Sequence, residues 1–366
     1  MWLKRSGILF RWLTRLGLWL HRRAISKSRL KRKTSVGHRE CIPFRLADWV
    51  EIIPVPYLRD NYGYIVRQPE SREVVLIDPG DPRTISEVLT RFDLQPKAVL
   101  VTHRHWDHAG GNADLKRAFK DLIIYGSAED SPLEVNSFVK SGTRIEHCGL
   151  SFVAHLTPGH TRGHVIYQLK APQEGAVLPD SLFTGDLLFL AGCGKYFEGS
   201  AEDMVRALDS LNTFNEDSYI WPGHEYAKAN VDFALSIEPN NSSLKSIAQS
   251  VYDKDRHDQP TCPSRLGGER SYNPFLRTGH WDLLRQLFLV PADGGPPSPS
   301  PSTSFCTAFS SSSVSGSQSD FRTDPPDPSS KTSDQDDDSL PPLLVPSLAL
   351  RAEAMAKLRR LKNCFS

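Results

Sequence analysis

Residues 99–108 read Val99-Leu100-Val101-Thr102-His103-Arg104-His105-Trp106-Asp107-His108, an apolar, strand-like run that leads straight into the pattern H-x-H-x-D-H. Residues two apart on extended backbone point to the same side, so His103 and His105 can converge on one metal ion. Asp107 and His108 come at the turn into the next helix, where they can face a neighbouring metal. The chain has 12 histidines, and this spacing arises by chance in about one such chain in a thousand. The pattern therefore predicts a metal site at the end of a strand.

Three later loops offer the further ligands that two metal ions need. They are Thr157-Pro158-Gly159-His160, Phe183-Thr184-Gly185-Asp186 and Trp221-Pro222-Gly223-His224. Each follows an apparent strand, and one loop edge would gather all of them. Taken alone, each loop is most simply interpreted as a turn histidine or a helix-capping aspartate. All three in order after the first motif favour ligands for two divalent metal ions. Nitrogen and oxygen ligands suit zinc, with iron or manganese as alternatives.

The pattern of apolar residues predicts an α/β layered domain. Short apolar runs at 51–55, 64–67, 74–77, 98–102, 122–125 and 165–169 predict strands, and polar helical stretches at 84–92, 112–120 and 201–211 lie between them. Strands interleaved with helices are typical of α/β layers. Past Tyr226 the strand signal fades, and helices are predicted at 228–237, 243–254 and 281–289. A helical pattern returns at 348–362.

Composition divides the chain into five segments. They are a basic amphipathic N-terminal segment (1–47), the α/β domain with the metal motifs (48–225), a helical region (226–290), a disordered insertion rich in Pro, Ser and Asp (291–342) and a C-terminal helix that returns to the fold (343–366). The net charge is +1, so no nucleic-acid partner is expected. The six cysteines form no C-x-x-C pair and are expected to be free thiols.

The N-terminal segment has no acidic residue before Glu40, and its apolar residues are interrupted too often for a membrane span. Two interpretations fit: a basic amphipathic helix on an anionic membrane surface, or a mitochondrial transit peptide. A basic disordered tail is the third. The expected location is therefore membrane-associated, with the cytoplasmic face included, or mitochondrial.

The order T-H-x-H-x-D-H, G-H-T, G-D and G-H-E-Y resembles the metallo-β-lactamase superfamily and, within it, the glyoxalase II (hydroxyacylglutathione hydrolase) family. Further similar stretches are Asp60-Asn61-Tyr62, Ile77-Asp78-Pro79, Ala191-Gly192-Cys193-Gly194-Lys195 and Ser271-Tyr272-Asn273-Pro274-Phe275. The resemblance implies a four-layer αββα sandwich with the metals at the edge of the two sheets, followed by the smaller helical C-terminal region. It assigns His103, His105 and His160 to one metal, Asp107, His108 and His224 to the other, and Asp186 to the bridge between them. Asp78 would support the ligand loop without touching metal.

The resemblance also implies the chemistry. The two metals would share a water and lower its pKa, and the hydroxide would attack the carbonyl of a thioester such as S-lactoylglutathione. Asp107 and Asp186, which hold those metals, are the residues assigned to catalysis. The glutathione part would be bound by Lys195, Tyr226, Asn230, Arg359 and Lys362. The chain departs from the family at Tyr196-Phe197, where the family has the order Phe-Tyr, so a tyrosine hydroxyl is missing at position 197.

Two other functions remain open on the sequence. A mononuclear iron sulfur dioxygenase of the same superfamily would need His103, His160 and Asp186 but not His224. A membrane-tethered regulatory protein would keep the metal fold for stability, have weak or no hydrolase activity, and act through its N-terminus or its Pro/Ser-rich insertion. Protein partners cannot be named from the sequence.

Overall fold

The computed structural model describes residues 39, 41–172, 178–291 and 345–365. The chain divides into two compact units, one of residues 1–291 and 346–366 and the other of residues 292–345, and the fold below is that of the first. The predicted N-terminal segment lies outside the described residues at 1–38 and 40, and the predicted insertion lies outside them from residue 292. Among the described helices, none combines the length and the apolar character that crossing a membrane requires.

The first sheet has seven strands that neighbour one another in chain order. They are β1 (Phe44–Leu46), β2 (Val50–Tyr57), β3 (Asn61–Arg67), β4 (Glu73–Ile77), β5 (Gln95–Leu100), β6 (Ile123–Ser127) and β7 (Ser137–Val139). The pairs up to β3–β4 are antiparallel, and those from β4–β5 onward are parallel. Three helices connect the parallel strands: α1 (Pro82–Arg91), α2 (Trp106–Ala109) and α3 (Asn112–Ala118). Helix α1 begins where the Asp81 carboxylate accepts a hydrogen bond from the Arg83 amide.

The second sheet has six strands in the order β15-β14-β11-β10-β9-β8. They are β8 (Arg144–His147), β9 (Leu150–Leu156), β10 (Val165–Leu169), β11 (Ser181–Gly185), β14 (Tyr219–Pro222) and β15 (Ser264–Arg265). A small hairpin, β12 (Leu188–Phe189) with β13 (Gly192–Cys193), lies between β11 and β14 in the chain. The short strand β15 lies within the region after Tyr226 that was predicted to be helical, where Ser264 and Arg265 pair with the edge of β14.

The remaining helices are α4 (Ala201–Asp209), a 3-10 turn (Ser210–Thr213), α5 (Ala227–Ile237), α6 (Ser242–Arg256), α7 (Leu266–Tyr272), α8 (Trp281–Gln286) and α9 (Leu348–Cys364). Helix α4 begins with a capping box, in which the Ser200 hydroxyl and the Asp203 carboxylate each bond the other residue's backbone amide. Among the described residues, Cys148, Cys193, Cys262 and Cys364 are free thiols.

Three apolar clusters define four layers. The facing sides of the two sheets enclose a core that includes Tyr64, Val75, Phe152, Phe183 and Trp221. A second cluster, with Ile65, Leu76, Ile85 and Val88 among its members, fills the space between the first sheet and its helices. The third covers the outer side of the second sheet with α4, α8 and α9. Alternating side chains of each strand face opposite layers, which is why the strands are buried on both faces. The predicted αββα sandwich with a helical C-terminal region is confirmed.

Helix α9 joins the domain from the far end of the chain. Ala354, Met355 and Leu358 are buried in the cluster on the outer side of the second sheet. Arg351 forms an ion pair with Asp209 at the end of α4. These contacts bring the chain's last residues back to the β12–β13 hairpin, close to the predicted site.

Candidate metal centre and substrate site

The seven predicted metal ligands come from four loops that meet at one end of the two sheets. His103, His105, Asp107 and His108 follow β5, His160 follows β9, Asp186 follows β11 and His224 follows β14. Because β9, β11 and β14 run in the same direction, their carboxyl ends lie at one edge of the second sheet. The first sheet presents the end of β5 to the same place.

Two glycines permit this convergence. Gly185 has φ +47°, and a Cβ there would lie 2.6 Å from the Thr102 hydroxyl oxygen. A Cβ at Gly223 would lie 2.6 Å from Asp186 Oδ1 and 2.7 Å from His108 Cε1. Both contacts are shorter than atoms tolerate, so any larger residue would displace the loops that carry Asp186 and His224.

His103, His105 and His160 form the first donor cluster, in which one nitrogen from each ring lies within 4.8 Å of the others. His105 Nδ1 is 3.0 Å from His103 Nε2 and 3.0 Å from His160 Nε2. The other nitrogen of His160 lies 2.7 Å from the Lys195 carbonyl oxygen and must donate to it, which leaves a lone pair on Nε2. Burial, followed by the neighbouring His160, lowers the pKa of His105 to about 4. The cluster is therefore held in the neutral form that binds metal.

Asp107, His108 and His224 form the second donor cluster. His108 Nδ1 donates to Asp78 Oδ2 and His224 Nδ1 donates to Asp60 Oδ1, each over 2.9 Å. The two inner Nε2 atoms lie 3.3 Å apart, with Asp107 Oδ2 3.7 and 3.6 Å from them. Burial opposes a charge on His108, yet the carboxylates of Asp186 and Asp107 raise its pKa to about 9. This cluster therefore holds positive charge strongly.

Asp186 lies between the two clusters. Its Oδ2 is 3.4 Å from His160 Nε2, and its Oδ1 is 3.4 Å from the Nε2 atoms of both His108 and His224. Oδ1 is fully buried and accepts no hydrogen bond of regular geometry from the described residues. Burial opposes the ionised form, but the surrounding imidazoles hold the pKa of Asp186 well below its ordinary value.

Lone pairs and carboxylate oxygens thus converge from all sides on a buried space. These electron-rich atoms repel one another unless protons or cations lie between them. The outer ring nitrogens of His108, His160 and His224 are already tied to acceptors, as is usual for metal-binding histidines. The two clusters and the carboxylate between them are suited to a dinuclear metal site.

Asp78 occupies the supporting position that was expected of it. Its oxygens also lie within reach of His103 and His108 as a third group of donors. They are engaged, however, by the Thr102 amide at 2.7 Å, the Thr102 hydroxyl at 2.6 Å and His108. His164 has a similar supporting position, since its Nε2 accepts a 3.2 Å hydrogen bond from the Asp186 amide.

Two residues of the site received no role from the sequence. Asp60 fixes the ring of His224, and the Asn61 amide donates to Asp107 Oδ2 over 3.0 Å. Both lie at the start of β3, 164 residues before His224 in the case of Asp60. The stretch Asp60-Asn61-Tyr62 was noticed only as a family similarity. The only sequence signal for their role is a pair of polar residues at a hairpin turn. Such pairs are common in turns that have no functional role, so the signal is not specific.

The five predicted substrate residues lie around the β12–β13 hairpin and the start of α5. They are Lys195, Tyr226, Asn230, Arg359 and Lys362. The Tyr226 ring stacks on His224 at 4.7 Å, and the Lys195 side chain is exposed. Asn230 and Arg359 are buried, and both bond the hairpin: Asn230 donates to the Leu190 carbonyl, and Arg359 donates to the carbonyls of Cys193 and Gly194.

Lys362 is a partly exposed cation of helix α9 near the hairpin. Its Nζ lies 4.9 Å above the Phe233 ring and 3.5 Å from the Ala229 carbonyl oxygen. Burial, followed by the nearby Arg359, lowers the pKa of Lys362 to about 8.

The departure at positions 196 and 197 falls at the mouth of the site. The Phe197 ring lies 5.3 Å from the His160 ring and 5.8 Å from the His105 ring, and 64% of the residue is exposed. Tyr196 instead packs against the cluster on the outer side of the second sheet. An apolar ring therefore borders the first donor cluster where a hydroxyl was expected.

Comparison with known proteins agrees with this geometry. Residues 58–224 match the model of the metallo-β-lactamase superfamily, and residues 225–365 match that of the hydroxyacylglutathione hydrolase C-terminus. The hydroxyacylglutathione hydrolase of Cyanothece is 37% identical over 236 residues, which are 64% of this chain and 90% of that protein. The cytoplasmic hydroxyacylglutathione hydrolase of Arabidopsis thaliana is 35% identical over 240 residues, 65% of this chain and 92% of that protein.

The sandwich with donors gathered at its sheet edge makes this a metallo-β-lactamase-fold protein. With the C-terminal helices and the relatives included, the chain belongs to the hydroxyacylglutathione hydrolase, or glyoxalase II, family.

Proposed function

We propose that this protein is a metal-dependent hydrolase of S-2-hydroxyacylglutathione thioesters, with S-lactoylglutathione as the representative substrate. The observation that carries the proposal is Asp186, whose buried Oδ1 accepts no hydrogen bond of regular geometry from the described residues and lies 3.4 Å from the inner nitrogens of His108 and His224. Its position between two donor clusters supports a pair of cations. The relatives named hydroxyacylglutathione hydrolase supply the substrate class.

The chain's own residues prepare the site. A bound pair of divalent cations would supply Lewis acidity and a water of lowered pKa. Asp78 and Asp60 fix the rings of His108 and His224 with their inner nitrogens toward the centre. Asn61 orients the Asp107 carboxylate by donating to Oδ2. A thiolate is a good leaving group because its conjugate thiol has a pKa of only about 8.5, so no residue need act as a general acid.

Substrate orientation falls to the residues around the hairpin. Lys195 and Lys362 offer positive charge for the carboxylates of the tripeptide, and Tyr226 provides an aromatic wall beside His224. Asn230 and Arg359 hold the hairpin carbonyls, and so act by shaping the site. We assign the helical region 226–290 and helix α9 to substrate binding on this basis.

The metal is proposed to be zinc, since nitrogen and oxygen donors without thiolate suit it, with iron or manganese as alternatives. The test combines hydrolysis of S-lactoylglutathione, with and without a chelator, with metal analysis of the purified full chain. Two metal equivalents and chelator-sensitive turnover are expected. Absence of such turnover would refute the proposed function. One iron per chain would favour the sulfur dioxygenase, for which the second donor cluster has no evident use.

The matched variants are Asp186→Asn and His155→Ala. His155 pairs with Gln168 on the second sheet, away from the donor clusters. Loss of metal and turnover in the first variant alone would support the assignment of Asp186. Equal losses in both would point to misfolding and contradict it.

We further propose that the basic N-terminal segment (1–47) directs the protein to an anionic membrane surface or to mitochondria. The absence of acidic residues before Glu40 supports this. Fractionation of cells that express the full chain and a chain beginning at residue 39 tests the idea. An identical distribution of the two would contradict it.

A further inference from the structure

A cavity of about 500 Å³ borders the metal centre on the Tyr226 side. Its lining includes Arg39, Arg59, Asp60, Glu225, Tyr226, Lys228, Ala229, Asp232 and Asp255. Tyr226 forms the connection to the centre, because its ring stacks on His224 at 4.7 Å with 6° between the planes. The volume lies within the range of small-molecule sites, and it is enough for one or two amino-acid residues.

Most charges of this cavity already have partners. Arg39 bonds Asp255 Oδ1 at 2.8 Å and lies 3.3 Å from Glu225, and Lys228 bonds Asp232 at 2.9 Å. Arg59 is different. It is exposed and makes no ion pair or hydrogen bond with another described residue.

Acceptors for a cation remain as well. Asp255 and Asp232 are each about one-third exposed, at 35% and 33% of their side-chain surface. Arg39 uses only Oδ1 of Asp255. Both oxygens of Asp232 already accept hydrogen bonds, Oδ1 from the Tyr252 hydroxyl and Oδ2 from Lys228. The cavity therefore offers the guanidinium of Arg59 and the uncommitted oxygen of Asp255, with the negative charge of Asp232 in the same lining. A ligand group that carries both an anion and a cation complements it better than a simple anion, which the four carboxylates would repel.

We propose that this cavity binds the zwitterionic α-amino-acid end of the thiol part of the substrate, with Arg59 receiving its carboxylate, Asp255 receiving its ammonium group and Asp232 adding negative charge beside that group. The inference rests on the proposed function. Glutathione carries such an end on its γ-glutamyl residue, two residues' length from its glycine carboxylate. Lys362, whose Nζ is near the Ala229 carbonyl, leaves a second position for that glycine carboxylate. Arg59 would thus be a specificity-determining residue for the peptide.

The experiment measures calorimetric binding to the metal-loaded full chain. The two probes are glutathione and N-acetylcysteinylglycine, which keeps the thiol and the glycine carboxylate but lacks the zwitterionic end. Arg59→Ala is expected to weaken glutathione about tenfold, the effect of one partly exposed charged hydrogen bond, and to leave N-acetylcysteinylglycine unchanged. Arg59→Lys should recover part of the loss. The control is Arg83→Ala, which removes an exposed guanidinium from α1.

If Arg59→Ala weakens the binding of both probes equally, Arg59 attracts anions in general and the proposal is overturned. The proposal is also overturned if Arg59→Ala changes the binding of neither probe. A third probe, glutathione acetylated on its amino group, tests the ammonium partner: wild-type protein that binds it as tightly as glutathione would remove Asp255 and Asp232 from the assignment and refute the zwitterion subsite. Turnover of S-lactoylglutathione is scored separately. Arg59-dependent binding without turnover would leave the subsite standing and refute only the hydrolase function.

Discussion

Replacing Glu269 by glutamine should remove a pH dependence of stability that this buried carboxylate creates. Glu269 has no exposed surface. Its Oε1 accepts from the hydroxyls of Ser264 and Tyr272, and its Oε2 accepts from the Ala191 amide and Asn273 Nδ2. Burial nevertheless dominates and raises its pKa to about 7 from an ordinary 4.5. The two hydroxyls can also accept, so a glutamine NH₂ fits on the Oε1 side with its bonds satisfied.

The sign follows from the raised pKa. The folded state holds this proton more tightly than the unfolded state, so the stabilisation is complete below pH 4.5 and is lost as the pH rises through about 7. At about 1.4 kcal/mol per pH unit, the difference corresponds to about 3 kcal/mol of unfolding free energy. Glu269→Gln acts as a permanently neutral side chain. As the pH rises from 4.5 to 8.5, the unfolding free energy of Glu269→Gln relative to that of wild type should therefore increase by about 3 kcal/mol.

Urea denaturation of both proteins at several pH values measures this difference, and titration of the metal ligands cancels because both proteins share them. Glu353→Gln, at an exposed position of α9, is the control for removal of one charge. A difference between wild type and Glu269→Gln that stays constant from pH 4.5 to 8.5 would refute the reasoning. The same variant should keep the hairpin in place, because the Ala191 amide still meets an oxygen.

Three further predictions concern the site. Asp78→Asn cannot accept from both His108 and the Thr102 amide and hydroxyl, so competition with a chromogenic chelator should show metal affinity reduced about 10- to 100-fold; unchanged affinity would contradict the supporting role. Lys362 has a pKa of about 8 and loses its charge above that pH, so KM for S-lactoylglutathione should rise from pH 7 to 9 in wild type but not in Lys362→Arg. If KM changes with pH in the same way in both proteins, Lys362 does not contact the substrate. Phe197→Tyr adds a hydroxyl at an exposed ring, and should lower KM for that thioester about tenfold with little change in kcat; a KM equal to that of wild type would mean that no substrate group reaches position 197.

The convergence of the candidate metal ligands at one place could be predicted from the sequence because their signal is local. H-x-H-x-D-H follows a strand directly, and the loops with His160, Asp186 and His224 each come at a strand end. In layered α/β folds the carboxyl ends of parallel strands lie at one edge of the sheet, so side chains from these loops come together there. The strand and helix periodicities behind the αββα sandwich are also local properties. They need no knowledge of which distant residues meet.

The partners of those ligands depended on tertiary structure. Asp60 reaches His224 across 164 residues, and only the contact between the start of β3 and the end of β14 places it there. The carboxylate of Glu269 bonds the amide of Ala191, 78 residues earlier, and no periodicity relates the two. No motif in the sequence includes Arg59, and α5 and α6 supply the carboxylates of the cavity that it lines. Spacing along the chain determines which residues can bind a metal. The pairing of the sheets and the docking of the helices determine which polar groups surround those residues. These tertiary contacts join residues that are far apart in the sequence, and no local pattern relates them.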